Sequence, residues 1–329
     1  MMRLKTQPEI KSMHTRRAML AIAFIFFAGF AHAEIPKLRI AVLKFGTVNW
    51  LMDTIIRHGL DGKEGYSLEV IGLAGKPATT IAFQSGDADM MVTDWVWALR
   101  QREKGADLGF AAYSVALGAL MTRGDVDGLC DLKGRRVGIV GGEFDKSWLV
   151  LQALARKDCG FELVAETEAL FGAPPLMSKQ LQTGEVDAVS TFWHWAAKME
   201  AAGNTRLVGV TDALAALGIS PAPSLIGFVW DRTRSKAETV AAFLRSVRAA
   251  QARLAADDSE WEVLRPRMKP KDDKAFVTLR DHFRAGLPGP WGTADTKAAG
   301  LLHRLLIDNA PPAFREQAGV FDEALFAAP

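Results

Sequence analysis

Several features that mark common protein classes are missing from this chain of 329 residues. No apolar run approaches the roughly 20 residues a membrane-spanning helix needs. No G-x-G-x-x-G opens a helix after the first strand-like segment, so the dinucleotide-binding fingerprint is excluded. The chain has 6 histidines and 2 cysteines, and none of them stands at metal-ligand spacing. A nucleophile elbow and a carboxylate pair with a spaced histidine are both lacking, which leaves little to support catalysis. No cofactor is expected, and no low-complexity stretch interrupts the chain.

What is present begins with an export leader. Arg3, Lys5, Lys11, Arg16 and Arg17 precede the apolar stretch AMLAIAFIFFAGF, which ends at AHA, the small-x-small pattern of a cleavable signal. Cleavage is expected after Ala33, giving a periplasmic chain that starts at Glu34 with no cysteine to carry a lipid. The leader holds five basic residues against one acid, so the net charge of +2 turns negative without it. No basic surface for nucleic acid remains to argue from.

In an oxidising compartment the two cysteines bear on the fold. Between Cys130 and Cys159 the sequence reads as a turn, a buried strand, a loop and a returning helix. A helix packed antiparallel to the strand before it brings both sulfurs to one end of the layer, and a Cys130–Cys159 disulfide is expected.

The chain also writes one segment twice. GDADMMVTDWVWAL from Gly86 and GEVDAVSTFWHWAA from Gly184 share glycine, acid, Asp, Thr, two Trp and Ala at the same places. Pro77 matches Pro175, Gln84 matches Gln182, and Leu51 matches Leu149 in NWL and SWL. Short β-branched runs (KLRIAVLK, YSLEVIGL, ADMMVTD, RRVGIV, FELVAET, VDAVSTF) alternate with amphipathic segments, which means an α/β protein with largely parallel sheets. One period this long, repeated once, is two similar lobes and not a solenoid. Lobe one is expected to span 34–120 and to resume at 223–329 with purely helical segments, and lobe two to span 121–222.

KFGT after the first strand, GDADMMVTD, DLKGRRVGIVGG and GEVDAV together resemble the periplasmic substrate-binding proteins of ABC importers. The likeness is to the two-lobed type II group that binds nitrate, sulfonates, taurine and thiamine pyrimidines. It implies an α/β fold with two hinge crossovers, a ligand cleft between the lobes, no catalysis, a monomer, and an inner-membrane ABC permease as partner. The chain departs from the group in GEFDKSW, which carries Glu143 and Asp145 where small hydroxyl residues are usual, and in FWHW after the second repeat strand. A sensing receptor and an enzyme on the same fold are the other functions such an architecture hosts.

Ligands of open α/β layers sit beyond the carboxyl ends of strands. That rule selects Lys44, Phe45, Trp50, Lys76, Asp94, Trp95, Phe144, Asp145, Trp148, Phe171, Phe192, Trp193 and His194. Asp94 and Asp145 either cap the helices they precede or meet a cationic ligand. Facing aromatics with a carboxylate suit a flat nitrogenous ring or a quaternary ammonium, and this is the ligand the sequence favours. Lys44, Lys76 and helix N-termini suit a sulfonate, taurine or nitrate instead.

Overall fold

The computed structural model describes residues 35–327; the leader and its expected cut after Ala33 lie outside the described residues. The chain starts with β1 (Lys37–Leu43), whose Ile40, Ala41 and Val42 are fully buried, the mark of a strand covered on both faces. Helix α1 (Val48–Arg57), β2 (Ser67–Leu73), α2 (Lys76–Ser85), β3 (Met90–Asp94), α3 (Trp95–Glu103) and β4 (Leu108–Ser114) follow. A crossover then leads to β5 (Ala119–Thr122), β6 (Arg136–Val140), α4 (Lys146–Cys159), β7 (Glu168–Gly172), α5 (Pro174–Thr183), β8 (Ala188–Thr191), α6 (Trp193–Ala201), β9 (Thr205–Gly209) and α7 (Val210–Ala216). A second crossover returns to β10 (Ile226–Asp231), and the helices α8 (Ala237–Ala256), α9 (Ser259–Met268), α10 (Asp273–Ala285) and α11 (Thr293–Asn309) follow, with short turns at Pro312–Arg315 and Glu323–Phe326 after them. No described helix is long and apolar enough to cross a membrane.

Two five-stranded sheets result, in the orders β2-β1-β3-β10-β4 and β7-β6-β8-β5-β9. Neither is wholly parallel. In each, the strand delivered by a crossover (β10 or β5) is antiparallel to both neighbours. A chain that leaves one sheet and enters the other arrives from the opposite end, so reversed direction is the consequence of crossing over. The two-lobed α/β architecture is that of a type II periplasmic-binding-protein fold.

The repeated segment acquires a structural reason. Gly86 and Gly184 end α2 and α5 in the left-handed conformation, at φ 85° and 78°, where a side chain would be strained. Asp89 accepts the amide of Arg39 at the start of β1, and Asp187 accepts that of Arg136 at the start of β6. Each arginine also reaches the carbonyl of its glycine. Helix end and neighbouring strand are thereby stitched together in the same way in both halves. In the second sheet Cys130 and Cys159 are disulfide-bonded, with Cα atoms 5.3 Å apart.

Candidate ligand-binding site

Strands β1, β3, β6 and β8 point their carboxyl ends at one cavity of about 240 Å³. The first sheet contributes Leu43, Thr47, Lys76, Val92 to Asp94, Tyr113 and Ser114; the second contributes Gly141, Phe144 to Ser147 and Phe192 to His194. The crossovers close it with Ala116, Leu117, Gly118, Leu225 and Ile226.

Five helices, α1, α2, α3, α4 and α6, begin at this cavity, and they differ in how their first amides are satisfied. Asp94 caps α3, accepting from the Trp97 amide at 3.0 Å. Asp145 caps α4, accepting from the amides of Ser147 and Trp148 at 3.0 and 3.2 Å. No side chain caps α1 at Thr47, α2 at Gly75 or α6 at Phe192; Asn49, Trp50, Ala78 and Trp195 donate their amides to backbone carbonyls nearby, which leaves the amides of Val48, Trp193 and His194 without a partner among the described residues, with their donor capacity and partial positive charge.

The charges follow from these positions. Lys146 at the start of α4 reaches Asp94 at the end of β3, Nζ to Oδ2 3.2 Å, an ion pair from one sheet to the other across the cavity. Burial works against the charge of Asp94, but Lys146, Lys76 and the Trp97 amide outweigh it and hold the carboxyl below its ordinary range. Asp145 goes the other way: burial raises it more than the Trp148 amide and the neighbouring Lys146 lower it. Lys76 has no ion-pair partner among the described residues. Burial, with help from Lys198, pushes His194 down to about 4, so a neutral imidazole faces the cavity near neutral pH. Tyr113 is likewise kept neutral by burial, its hydroxyl 3.2 Å from Thr47 Oγ1.

Of the residues selected from the sequence, Lys76, Asp94, Phe144, Asp145, Phe192, Trp193 and His194 come together on the cavity, and the other six do not. Trp95 and Trp148 are fully buried core residues, and the Trp95 indole donates to the Ser224 carbonyl at 3.1 Å. Trp50 lies behind the wall, edge-on to Trp193 at 6.1 Å and to Trp261 at 6.0 Å, and so backs Trp193 from within the core. Phe45 is 81% exposed, flanked by Lys44 and Lys269. Phe171 is half-exposed on β7, an edge strand. Thr47, Tyr113, Ser114 and the crossover residues were missed. Tyr113 and Ser114 end β4, a strand recognisable in DLGFAAYSV, so the strand-end rule already pointed there; the crossovers carry no such local signal.

The sequence model of the family described as NMT1/THI5 like matches residues 59–260. No curated protein matches the chain. Among solved structures it resembles the periplasmic aliphatic sulphonate binding protein of Escherichia coli (18% identity, 82% of this chain and 85% of that one, TM-score 0.66). It also resembles the alkanesulfonate-binding protein of Xanthomonas axonopodis pv. citri bound to MOPS (18%, 84% and 94%, TM-score 0.64). A desulfurization enzyme has the same fold at 14% identity (88% and 97%, TM-score 0.59), so the fold alone does not separate binding from catalysis. With more than half of its length, residues 59–260, matched by one family model, the chain belongs to the NMT1/THI5-like family.

Proposed function

We propose that the chain is an extracytoplasmic solute-binding protein that captures a small organic sulfonate between its lobes and delivers it to an ABC permease. It carries a ligand and does not transform one: both carboxylates on the cavity are committed as helix caps, and Asp94 is also paired with Lys146. The observation that carries the sulfonate reading is that the amides of Val48 at α1 and of Trp193 and His194 at α6, without a partner among the described residues, open on the same cavity as Lys76, which has no ion-pair partner there. Free amides and an ammonium are what a compact oxyanion recognises. Phe144, Phe192, Trp193 and Leu117 supply apolar wall for the organic part.

The flat nitrogenous ligand favoured by the tryptophan pairs is withdrawn. It needed opposed indoles, and of the six tryptophans in the matched segments only Trp193 lines the cavity. The two structural relatives described as sulphonate binders also favour an anion. The leader sequence and the family support a periplasmic location.

The test is thermal denaturation of the exported chain, unfolded and refolded to strip carried-over ligand, against taurine, alkanesulfonates, nitrate, a thiamine-type pyrimidine and a quaternary amine. A ligand at a hundred times its dissociation constant adds about 2.7 kcal/mol, a clear melting shift. Stabilisation by a sulfonate is expected. Stabilisation by the pyrimidine or the amine alone, or by none of the panel, refutes the reading.

A further inference from the structure

Taking the cavity to be the ligand site, we propose that the C-terminal segment 311–326 is a third connection between the lobes, with Phe314 as the positioning residue that holds Lys146 against Asp94. The two second-lobe helices that open on the cavity, α4 and α6, are the ones the C-terminal helices pack on: α11 lies on α4 and α10 on α6. Phe283 of α10 meets Trp193 at 6.2 Å, and His282 pairs with Glu200 at 2.6 Å.

Beyond α11, a short turn at Pro312–Arg315 buries the Phe314 ring 5.9 Å from that of Phe144, with Lys146 Nζ also 5.9 Å from its centroid. The segment then binds to the first lobe. Gln317 accepts from Arg100 and Asp322 from Arg102, at 3.0 and 2.7 Å. Gly319 passes so close to α3 that a Cβ there would lie 2.6 Å from the Arg100 amide nitrogen. Phe321 and Phe326 close over Trp95. One continuous segment therefore touches the cation of the cross-cavity ion pair at one end and the helix that follows its carboxylate at the other. Phe314 does not itself line the cavity, so it acts on the ligand only through Phe144 and Lys146.

Two readouts on Phe314→Ala in the full exported chain decide the matter. The first needs no ligand: the Asp94 carboxyl, followed by carbon NMR through a pH titration, should move up toward the ordinary aspartate range as Lys146 loses its backing. The second is the taurine dissociation constant by calorimetry, expected to rise at least tenfold, with Phe314→Leu restoring most of it. If Phe314→Ala does not fold, the double variant Gln317→Ala with Asp322→Ala frees the segment from the first lobe at its surface, and the same upward move of Asp94 is expected. A variant that merely melts earlier, with the Asp94 titration unchanged, overturns the proposal. If the parent chain binds no sulfonate, the function proposed above fails, and the Asp94 titration still decides whether Phe314 positions the ion pair.

Discussion

Trp95 and Trp193 occupy equivalent places in the repeat, each opening a helix after the third parallel strand of its half, and they do different work. Phe321 and Phe326 cover Trp95, whereas Trp193 leans on Trp50 and turns toward the cavity. Symmetry in the sequence predicts two jaws of tryptophan; what breaks it is the C-terminal chain, which seals Trp95 under Phe321 and Phe326 but meets Trp193 through Phe283 and leaves it on the cavity wall. No local pattern contains that information. Trp95→Ala should therefore lower stability by about 3–5 kcal/mol as a core truncation. Trp193→Ala should instead weaken binding of the proposed sulfonate at least tenfold, with chemical denaturation and calorimetry separating the two outcomes. His194 has a measurable signature of its own. Its pKa is depressed to about 4 in the folded chain from the ordinary imidazole value of 6.5, so between those values the unfolded chain holds the extra proton. Stability is then intact above roughly 6.5 and falls as pH drops toward 4, by on the order of 2 kcal/mol. Urea denaturation at the two ends of that window should show a shallower fall for His194→Gln.

Helix starts and strand order sort what the sequence can and cannot disclose about elements. Asp before WVW and before KSW is a cap signal, and both aspartates do cap. Asp145→Asn keeps an acceptor for the Ser147 and Trp148 amides and should cost little, while Asp145→Ala should cost about 1 kcal/mol, read from melting curves. Most strands were visible as β-branched runs, but FELVAET is not one of them, since Leu163–Glu166 is a helical turn and β7 follows at Glu168–Gly172, and the reversed direction of β5 and β10 was not visible at all. A strand's own alternation says which face is buried, never which way its neighbours run, and only the crossovers decide that. The Cys130–Cys159 bond closes a loop with a sequence separation of 29. Replacing both cysteines with alanine should lower stability by about 3–4 kcal/mol through the freed unfolded chain, measurable by urea titration.

For the whole molecule, two crossovers and the cross-cavity ion pair join the lobes beside the cavity, while α10 and α11 pack on α6 and α4. The first crossover runs tight against the second sheet: a Cβ on Gly118 would lie 2.3 Å from the Thr191 carbonyl oxygen. Gly118→Ala should push that crossover off β8 and change how the lobes close, without altering any charged group on the cavity. A several-fold loss of sulfonate affinity with a changed small-angle scattering profile of the ligand-free chain is expected, and an unchanged profile would count against this account of the hinge. The same topology sets an order of assembly. Strands β5 to β9 come from one uninterrupted stretch, 119–209, so the second sheet has every strand it needs early in synthesis. The first sheet does not, because β10 must slot between β3 and β4. On the proposed export route, threaded N-terminus first, β3 and β4 would emerge with a gap between them that stays open until residue 231 arrives. That interval exposes two unpaired strand edges to any passing chain, and it is the stage at which an exported molecule of this design most needs a chaperone.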